Sequence, residues 1–250
     1  MLTPMAPKDL ETAATTFPLI RKNLNHTITR WLIVAPENED IRKFAETWGA
    51  EYIDENDVLP QIAKDDEFVL NGRNRNGWMR QQIIKLLAFN LVPEAESILI
   101  FDTDTAPINP VSFRKNGNPI LFSSNEFICS YHKMATVLTG LPRQSRYSFV
   151  AHCMMFEKHW LEKLQHKIEQ HTGLPWIEAI YKNLDKTTDA AFSEYELYGD
   201  FVYQMADKGK VKREYWHNRK IKKSEQENLL DRPWHWKRHT FISHHTHLTN

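Results

Sequence analysis

Two carboxylates, Asp102 and Asp104, follow four consecutive apolar residues and are the first candidates for chemistry in this sequence. The apolar run, Ile98 to Phe101, predicts a strand buried on both faces. Residues two apart in an extended chain point the same way, so both carboxylates face one side. At the carboxyl end of a buried strand, where open α/β sheets bind ligands, such a pair holds a cation or acts on a substrate. The alternative is an Asp-rich turn that leads to Pro107.

The segments before this strand alternate between apolar runs and helical patterns. Strands are predicted at residues 2–6, 28–35 and 51–54, and helices at 8–23 (kinked or restarted at Pro18) and 39–48, capped at Asn38. Residues 55–76 are predicted to be irregular. Further strands are predicted at 119–124, 148–156 and 240–243, and further helices at 78–91, 131–139, 157–171 and 192–207. The β-α-β-α-β order predicts an α/β fold with a parallel sheet covered by helices.

Composition narrows the class of protein. The 250 residues suffice for one large or two small domains, and 32 basic residues balance 32 acidic ones, which argues against nucleic-acid binding. Residues 208–240 nevertheless hold eleven Lys or Arg against four Asp or Glu. This segment is either a solvated face or the contact for a phosphate-rich or membrane-surface partner. Two cysteines, no signal pattern and no membrane-length apolar run predict a reduced, cytoplasmic protein.

The helix predicted at 78–91 has two faces. Met79, Ile83, Leu87 and Leu91 are spaced by four and are predicted to be core. The second stripe consists of Trp78, Gln81, Gln82, Lys85 and Phe89. It faces either a polar ligand or solvent.

Three further groups of residues are candidates. Ser193 and Glu196 fit a capping box, which gives Glu196 a structural role, whereas Glu194 has none and sits where the helix dipole favours its ionised form. His152 lies within an apolar run, and we interpret it as a core histidine rather than a ligand contact. His244 and His245 follow the last predicted strand and are either metal ligands or part of a polar tail.

Residues 1 to about 207 resemble the GT-A glycosyltransferases, which use nucleotide sugars. The resemblance rests on the strand order that ends in Asp102-Thr103-Asp104, on Gly77-Trp78…Gln81-Gln82…Lys85, and on the segment Ser193–Gly199. The last two resemble an uncharacterised bacterial branch of these enzymes. The implied fold is a GT-A-like, Rossmann-type mixed sheet in a single domain over 1–250. It comprises a nucleotide-sugar half (1–105), an acceptor half (106–207) and a basic, aromatic C-terminal segment (208–250).

The resemblance also implies a chemistry and its residues. Mn²⁺ or Mg²⁺ would bind the donor diphosphate through Asp104, with Asp102 on the sugar–ribose side or on the metal through water. His244 and His245 are the candidates for a further metal ligand. The implied nucleotide contacts are Thr3, Pro4, Pro36, Arg80, Gln81 and Lys85. Glu194 is the candidate general base, and the expected acceptor is a cell-surface glycan or a lipid-linked acceptor. The protein is expected to be cytoplasmic and to contact the inner face of the membrane peripherally through the basic C-terminal segment.

Two other functions fit parts of the sequence. Phe101-Asp102-Thr103-Asp104-Thr105 also fits the nucleophile motif of haloacid-dehalogenase-like phosphatases, with Asp102 as nucleophile. Ser123 or Ser124 would then be their second motif, and Gly199-Asp200 their last acidic one. Against this, three predicted strands precede Asp102, whereas the nucleophile strand of those enzymes usually comes first. The third hypothesis is a catalytically inactive sugar- or phosphate-binding module.

Overall fold

The computed structural model describes residues 1–221 and 239–244. The strands are β1 (Leu2–Pro4), β2 (Leu32–Ala35), β3 (Glu51–Asp54), β4 (Val69–Leu70), β5 (Arg73–Asn74), β6 (Ser97–Phe101), β7 (Thr105–Pro107), β8 (Arg114–Lys115), β9 (Asn118–Ser123), β10 (Cys153–Glu157), β11 (Lys212–Tyr215), β12 (Asn218–Lys220) and β13 (Phe241–Ser243). The helices are α1 (Leu10–Asn23), α2 (Glu39–Thr47), α3 (Glu55–Val58), α4 (Gln61–Asp65), α5 (Asn76–Leu86), α6 (Ala88–Leu91), α7 (Cys129–Thr139), α8 (Lys158–Thr172), α9 (Trp176–Lys182) and α10 (Glu194–Met205). No helix among these residues is both long and apolar enough to cross a bilayer.

The central sheet has the strand order β10-β6-β1-β2-β3. The four strands from β6 to β3 are parallel, and β10 pairs antiparallel with β6. Strands β1, β2 and β10 are buried throughout, because helices cover both faces of the sheet. This is the mixed α/β sheet that the sequence predicts, and β3 has the predicted bounds.

Side chains on both faces of helix α5 are buried. Met79 and Ile83 belong to the core, as predicted, while Gln82 and Lys85 on the other stripe are 2% and 1% exposed. The alternative in which this polar stripe faces solvent is therefore wrong. Helix α5 ends at Leu86, and the short α6 follows it instead of one helix to residue 91.

Several predicted boundaries are wrong for local reasons. The strand predicted at 148–156 begins only at Cys153, because His152 has φ of +54° and breaks the extended chain. Pro18 lies inside a continuous α1, so the helix does not restart there. Residues 55–76, predicted to be irregular, contain two short helices and the β4–β5 hairpin.

Strand β13 brings the end of the described chain to the carboxylate pair. It pairs antiparallel with β7, so that Ser243 lies opposite Thr105. The backbone N–H of His244 donates to the carbonyl of Asp104 over 2.7 Å. Residues far apart in the sequence thereby meet at the carboxyl end of β6.

Helix α10 packs closely on the chain that precedes β10, and this contact is testable. A Cβ added at Gly199 would lie 2.6 Å from Cγ of Phe149, which is fully buried. We expect Gly199→Ala to lower the free energy of unfolding by about 1–3 kcal/mol, because overpacking forces the helix or the ring to shift. Chemical denaturation measures this. Gly77→Ala in α5 is the control, since its Cβ would meet nothing within 4 Å; equal destabilisation of both variants would contradict the close contact.

Candidate active site

A cavity of about 820 Å³ opens at the carboxyl ends of β1, β2 and β6. This volume lies within the range of pockets that bind small molecules and cofactors. Residues from the first half of the chain line it together with Glu126, Tyr131, His152, Asp189 and Glu194 from the second half. The cavity therefore contains side chains from both predicted halves.

Asp102 is the centre of the polar contacts in this cavity. Its Oδ1 lies 2.5 Å from Nζ of Lys85 and accepts a hydrogen bond from the hydroxyl of Tyr195 over 3.0 Å. Its Oδ2 lies 3.1 Å from Nδ1 of His152. Burial alone would raise the pKa of Asp102, but the charge of Lys85 and the bond to His152 hold it below its usual value. Asp102 is therefore a fixed, ionised carboxylate.

Lys85 is a buried cation shared between two carboxylates. Its Nζ contacts Asp102 and also lies 2.6 Å from Oε1 of Glu194, and it sits 4.4 Å from the ring centroid of Tyr195. Burial works to lower the pKa of Lys85, but the two carboxylates raise it above its usual value. Lys85 therefore links the end of β6 to the first turn of α10.

Glu194 lines the cavity but is 2% exposed. Its backbone N–H donates to Oε1 of Gln82 over 3.2 Å. Burial raises the pKa of Glu194, and the charge of Asp102 adds to this effect, while Lys85 acts to lower the pKa. The first turn of α10, where the sequence analysis expects the dipole to favour the ionised form, therefore also imposes a burial that acts in the opposite direction.

Only one of the two hydrogen bonds of the predicted capping box is present. Ser193 accepts from the N–H of Glu196, as predicted, but the Glu196 carboxylate accepts instead from Ser148 Oγ over 2.9 Å and from the Phe149 N–H over 3.0 Å. Burial raises the pKa of Glu196 to about 7. Glu196 thus has a structural role, though a different one from the role that the sequence predicts.

Three side chains fit a divalent cation. One ligand atom each from Asp102, Asp104 and His152 lies within 4.8 Å of the others. Burial raises the pKa of Asp104 to about 6, although His152 acts to lower it, and a bound cation would reverse that penalty. Two carboxylates and a neutral imidazole are donors that suit Mn²⁺ and other first-row cations, and a cation bound here would displace the proton of His152.

His152 is a site residue and not simply a core histidine, which corrects the sequence interpretation. Besides its side-chain contact with Asp102, its carbonyl accepts the Asp102 N–H over 2.9 Å. Burial works to lower the pKa of His152, but hydrogen bonds to Asp102 and Glu126 raise it to about 10. The antiparallel pairing of Cys153 with Phe101 places His152 beside Asp102. The sequence contains no signal of that pairing, so the position of His152 could not be predicted from it.

Of the two C-terminal histidines, His244 lines the cavity and is 4% exposed. Burial lowers the pKa of His244 to about 4, so its imidazole is neutral, the form that binds metals. It is adjacent to Asp104 through the backbone bond, but the three-residue group above contains His152 instead. His245 lies outside the described residues.

The predicted nucleotide contacts divide into two sets. Pro4, Pro36, Gln81 and Lys85 line the cavity. Thr3 is fully buried away from the lining, and its hydroxyl accepts from the indole N–H of Trp31 over 3.2 Å. Arg80 also lies outside the lining, because it pairs with Glu55 over 3.3 Å and donates to the carbonyls of Ala63 and Lys64.

Cationic side chains at the cavity were missed at the sequence level. Lys8, Arg73, Arg75 and Lys220 all line it. Arg75 stacks on Trp78 at 4.3 Å, and its Nη2 donates to the carbonyl of Asp189. The basic, turn-rich stretch from Gly72 to Gly77 was the available signal for two of them, because turn-rich loops at a sheet edge commonly carry binding residues.

The sheet order and the position of the carboxylate pair define a GT-A fold, the fold of many nucleotide-sugar glycosyltransferases. A crystal structure of an active-site mutant of LgtC aligns with a TM-score of 0.54 and 13% identity, covering 100% of this chain and 90% of that one. Mouse xyloside xylosyltransferase 1 in its apo form aligns with a TM-score of 0.48 and 10% identity, over 100% and 98% of the two chains. No curated protein sequence matches the chain. Residues 9–248 match the family of unknown function DUF6492, and the chain belongs to that family.

Proposed function

We propose that this protein transfers a sugar from a nucleotide-diphosphate sugar to a glycan or lipid-linked acceptor, with Mn²⁺ or Mg²⁺ as cofactor. The observation that carries the proposal is the group of Asp102, Asp104 and His152 at the carboxyl end of β6, inside a cavity of about 820 Å³. Ligands of open α/β sheets bind at this edge. The GT-A fold supports the same assignment.

The residues of the cavity suit a diphosphate donor. A cation held by Asp102, Asp104 and His152, with His244 beside them, would neutralise the charge that builds up on the departing diphosphate. Lys8, Arg73 and Lys220 add positive charge to the cavity wall. Pro4, Pro36 and Gln81 form the part of the wall that would meet the nucleoside.

A thermal-shift screen tests the donor class. We expect a UDP-, GDP- or dTDP-sugar to raise the melting temperature in the presence of Mn²⁺, and to do so less in its absence, because a cation held by the carboxylates would favour diphosphate binding. CMP-sugars, which carry a single phosphate, complete the panel as the comparison. Slow, metal-dependent release of the nucleotide diphosphate would identify the donor. If donors stabilise the protein but none of them is cleaved to a nucleotide diphosphate, the inactive binding module is favoured.

The general base of the transfer has its own test. We expect Glu194→Gln to reduce transfer about 10²–10³-fold while donor affinity stays within about twofold, because a lost proton acceptor slows the chemical step. Steady-state transfer and donor calorimetry measure the two effects.

Glu126→Gln is the comparison variant, since Glu126 is the more accessible cavity carboxylate, with 32% of its side chain exposed. Normal transfer by Glu194→Gln would remove Glu194 from the mechanism. A loss confined to Glu126→Gln would assign the base to Glu126.

The phosphatase hypothesis finds little support in the site. Both oxygens of Asp102 are engaged by Lys85, Tyr195 and His152, which leaves a poor nucleophile. Ser123 and Ser124 do not line the cavity, and Gly199 and Asp200 lie within α10 instead of following a strand. Hydrolysis of p-nitrophenyl phosphate but not of nucleotide sugars would revive it.

A further inference from the structure

Three arginines stack on aromatic rings on the outside of the second half of the chain. The guanidinium carbon of Arg143 lies 4.0 Å from the ring centroid of Phe127. Those of Arg213 and Arg146 lie 3.7 and 5.5 Å from the centroid of Tyr147. The ring of Tyr203 follows at 6.2 Å from Tyr147. We call the six residues Phe127, Arg143, Arg146, Tyr147, Tyr203 and Arg213 the arginine–aromatic surface.

Positive charge on this surface is not balanced by ion pairs. Arg30, Arg80 and Arg114 each pair with a glutamate. In the part of the chain that the structure describes, the three arginines of the arginine–aromatic surface make no such pair. The bond from Arg146, together with the charge of Arg213, lowers the pKa of the Tyr147 phenol. Burial raises the pKa of the Glu196 and Asp200 carboxyls and the charge of Arg143 acts to lower it, so Arg146 and Arg213 are the arginines whose positive charge suits an anion.

The arginine–aromatic surface adjoins the cavity along two stretches of chain. Glu126 lines the cavity and Phe127 is its neighbour, with the Phe127 ring stacked on His132 at 4.5 Å. Val150 lines the cavity, and Phe149 beside it packs against Tyr203 at 5.5 Å. Tyr147 lies three residues before Val150, so at most about 11 Å of extended chain separates the surface from the cavity wall, and a ligand of several linked units spans this distance.

We propose that the arginine–aromatic surface binds the acceptor and that the acceptor is an acidic glycan, one that carries carboxylate or phosphate groups. The proposal rests on the glycosyl transfer proposed above. The exposed parts of Phe127 and Tyr203 offer apolar contacts to sugar rings. Arg146 and the part of the Arg213 guanidinium that does not donate to Ser123 present donors that match carboxylates and phosphates. Because the rings already hold the guanidiniums in place, little side-chain entropy is lost on binding.

A membrane surface fits less well. Membrane-surface segments combine basic residues with a broad apolar face. Among the six residues of the surface, the exposed large apolar side chains are Phe127 and Tyr203, 44% and 38% exposed, and each is already in contact with an arginine or another ring. Discrete rings and forks suit single sugar units better than a lipid layer.

Binding of defined oligosaccharides tests this inference by calorimetry at low and high salt. The probes are a hyaluronan hexasaccharide, which carries a carboxylate on every second sugar, and the neutral chitohexaose. We expect the acidic probe to bind at least tenfold more tightly than the neutral one. We expect Arg146→Gln/Arg213→Gln to weaken its binding about tenfold or more, since each fork makes charge-assisted bonds. Arg21→Gln is the matched control, because Arg21 also stacks on a ring, Trp48 at 5.2 Å, far from this surface.

Each other outcome overturns the inference. Equal affinity for both probes, or acidic-probe binding that Arg146→Gln/Arg213→Gln leaves unchanged, rules out the arginines. Binding to phosphatidylglycerol vesicles without binding to the acidic glycan assigns the surface to a membrane. If the double variant does not fold, the binding measurements are made with Arg146→Gln alone, because Arg146 is at an exposed position. Donor-dependent diphosphate release is measured in parallel: its persistence in the double variant separates a failure of this inference from a failure of the proposed function.

Discussion

Asp104→Asn is expected to abolish the binding of Mn²⁺ and to reduce sugar transfer by about 10³-fold. Asp104 contributes one of the two carboxylates of the ion-binding group, and the amide that replaces it carries no charge. A cation that neutralises the leaving diphosphate contributes several kcal/mol to the transition state, and each 1.36 kcal/mol corresponds to about tenfold in rate. Calorimetric titration with Mn²⁺, with and without the donor, measures the first effect and steady-state turnover the second.

Asp189→Asn is the matched control for metal binding. It makes the same substitution in the wall of the same cavity but outside the ion-binding group. We expect its affinity for Mn²⁺ to equal that of the unaltered protein. Metal-dependent donor binding that survives Asp104→Asn would show that the cation, if one acts here, is held elsewhere.

Lys85→Met is expected to destabilise the protein by about 3–5 kcal/mol, because it leaves two buried carboxylates without their shared cation. Lys85 is 1% exposed and contacts Asp102 and Glu194 at 2.5 and 2.6 Å. For a chain of this length the melting temperature should fall by about 10 °C. Adding Glu194→Gln to Lys85→Met should recover part of the loss, since it removes one of the uncompensated charges.

Lys186→Met provides the comparison for that experiment. Lys186 also pairs with an aspartate, Asp66, at 2.6 Å, but 38% of its side chain is exposed. Exposed pairs contribute about 0–1 kcal/mol, so this variant should melt near the unaltered protein. If Lys85→Met melts at the same temperature as Lys186→Met, the buried group adjusts its protonation at no measurable cost.

Local patterns sufficed to predict the elements that carry the carboxylates. Four consecutive apolar residues predicted β6, and Glu51–Asp54 predicted β3 with its observed bounds. The Asn38 cap also formed as predicted, with its side chain accepting the Ile41 N–H. Each of these features depends on neighbours within a few residues, and such features can be read from the sequence.

Long-range pairing determined the rest of the site. The role of His152 depends on the register of β10 against β6, and the burial of Glu194 depends on Lys85, which is 109 residues away. Thr3 and Arg80 were expected at the nucleotide, but Trp31 and Glu55 engage them instead. No local pattern records these partners, because each pair meets only when the sheet and helices assemble.

The ladder between β6 and β10 limits how substrates can enter. Five residue pairs join the strand that carries the carboxylates to a strand from the second half of the chain. A hinge movement that separated the two halves of the chain would break the hydrogen bonds between β6 and β10. A donor therefore enters and a product leaves through the opening at the carboxyl ends of β1, β2 and β6, while the floor of the cavity stays rigid.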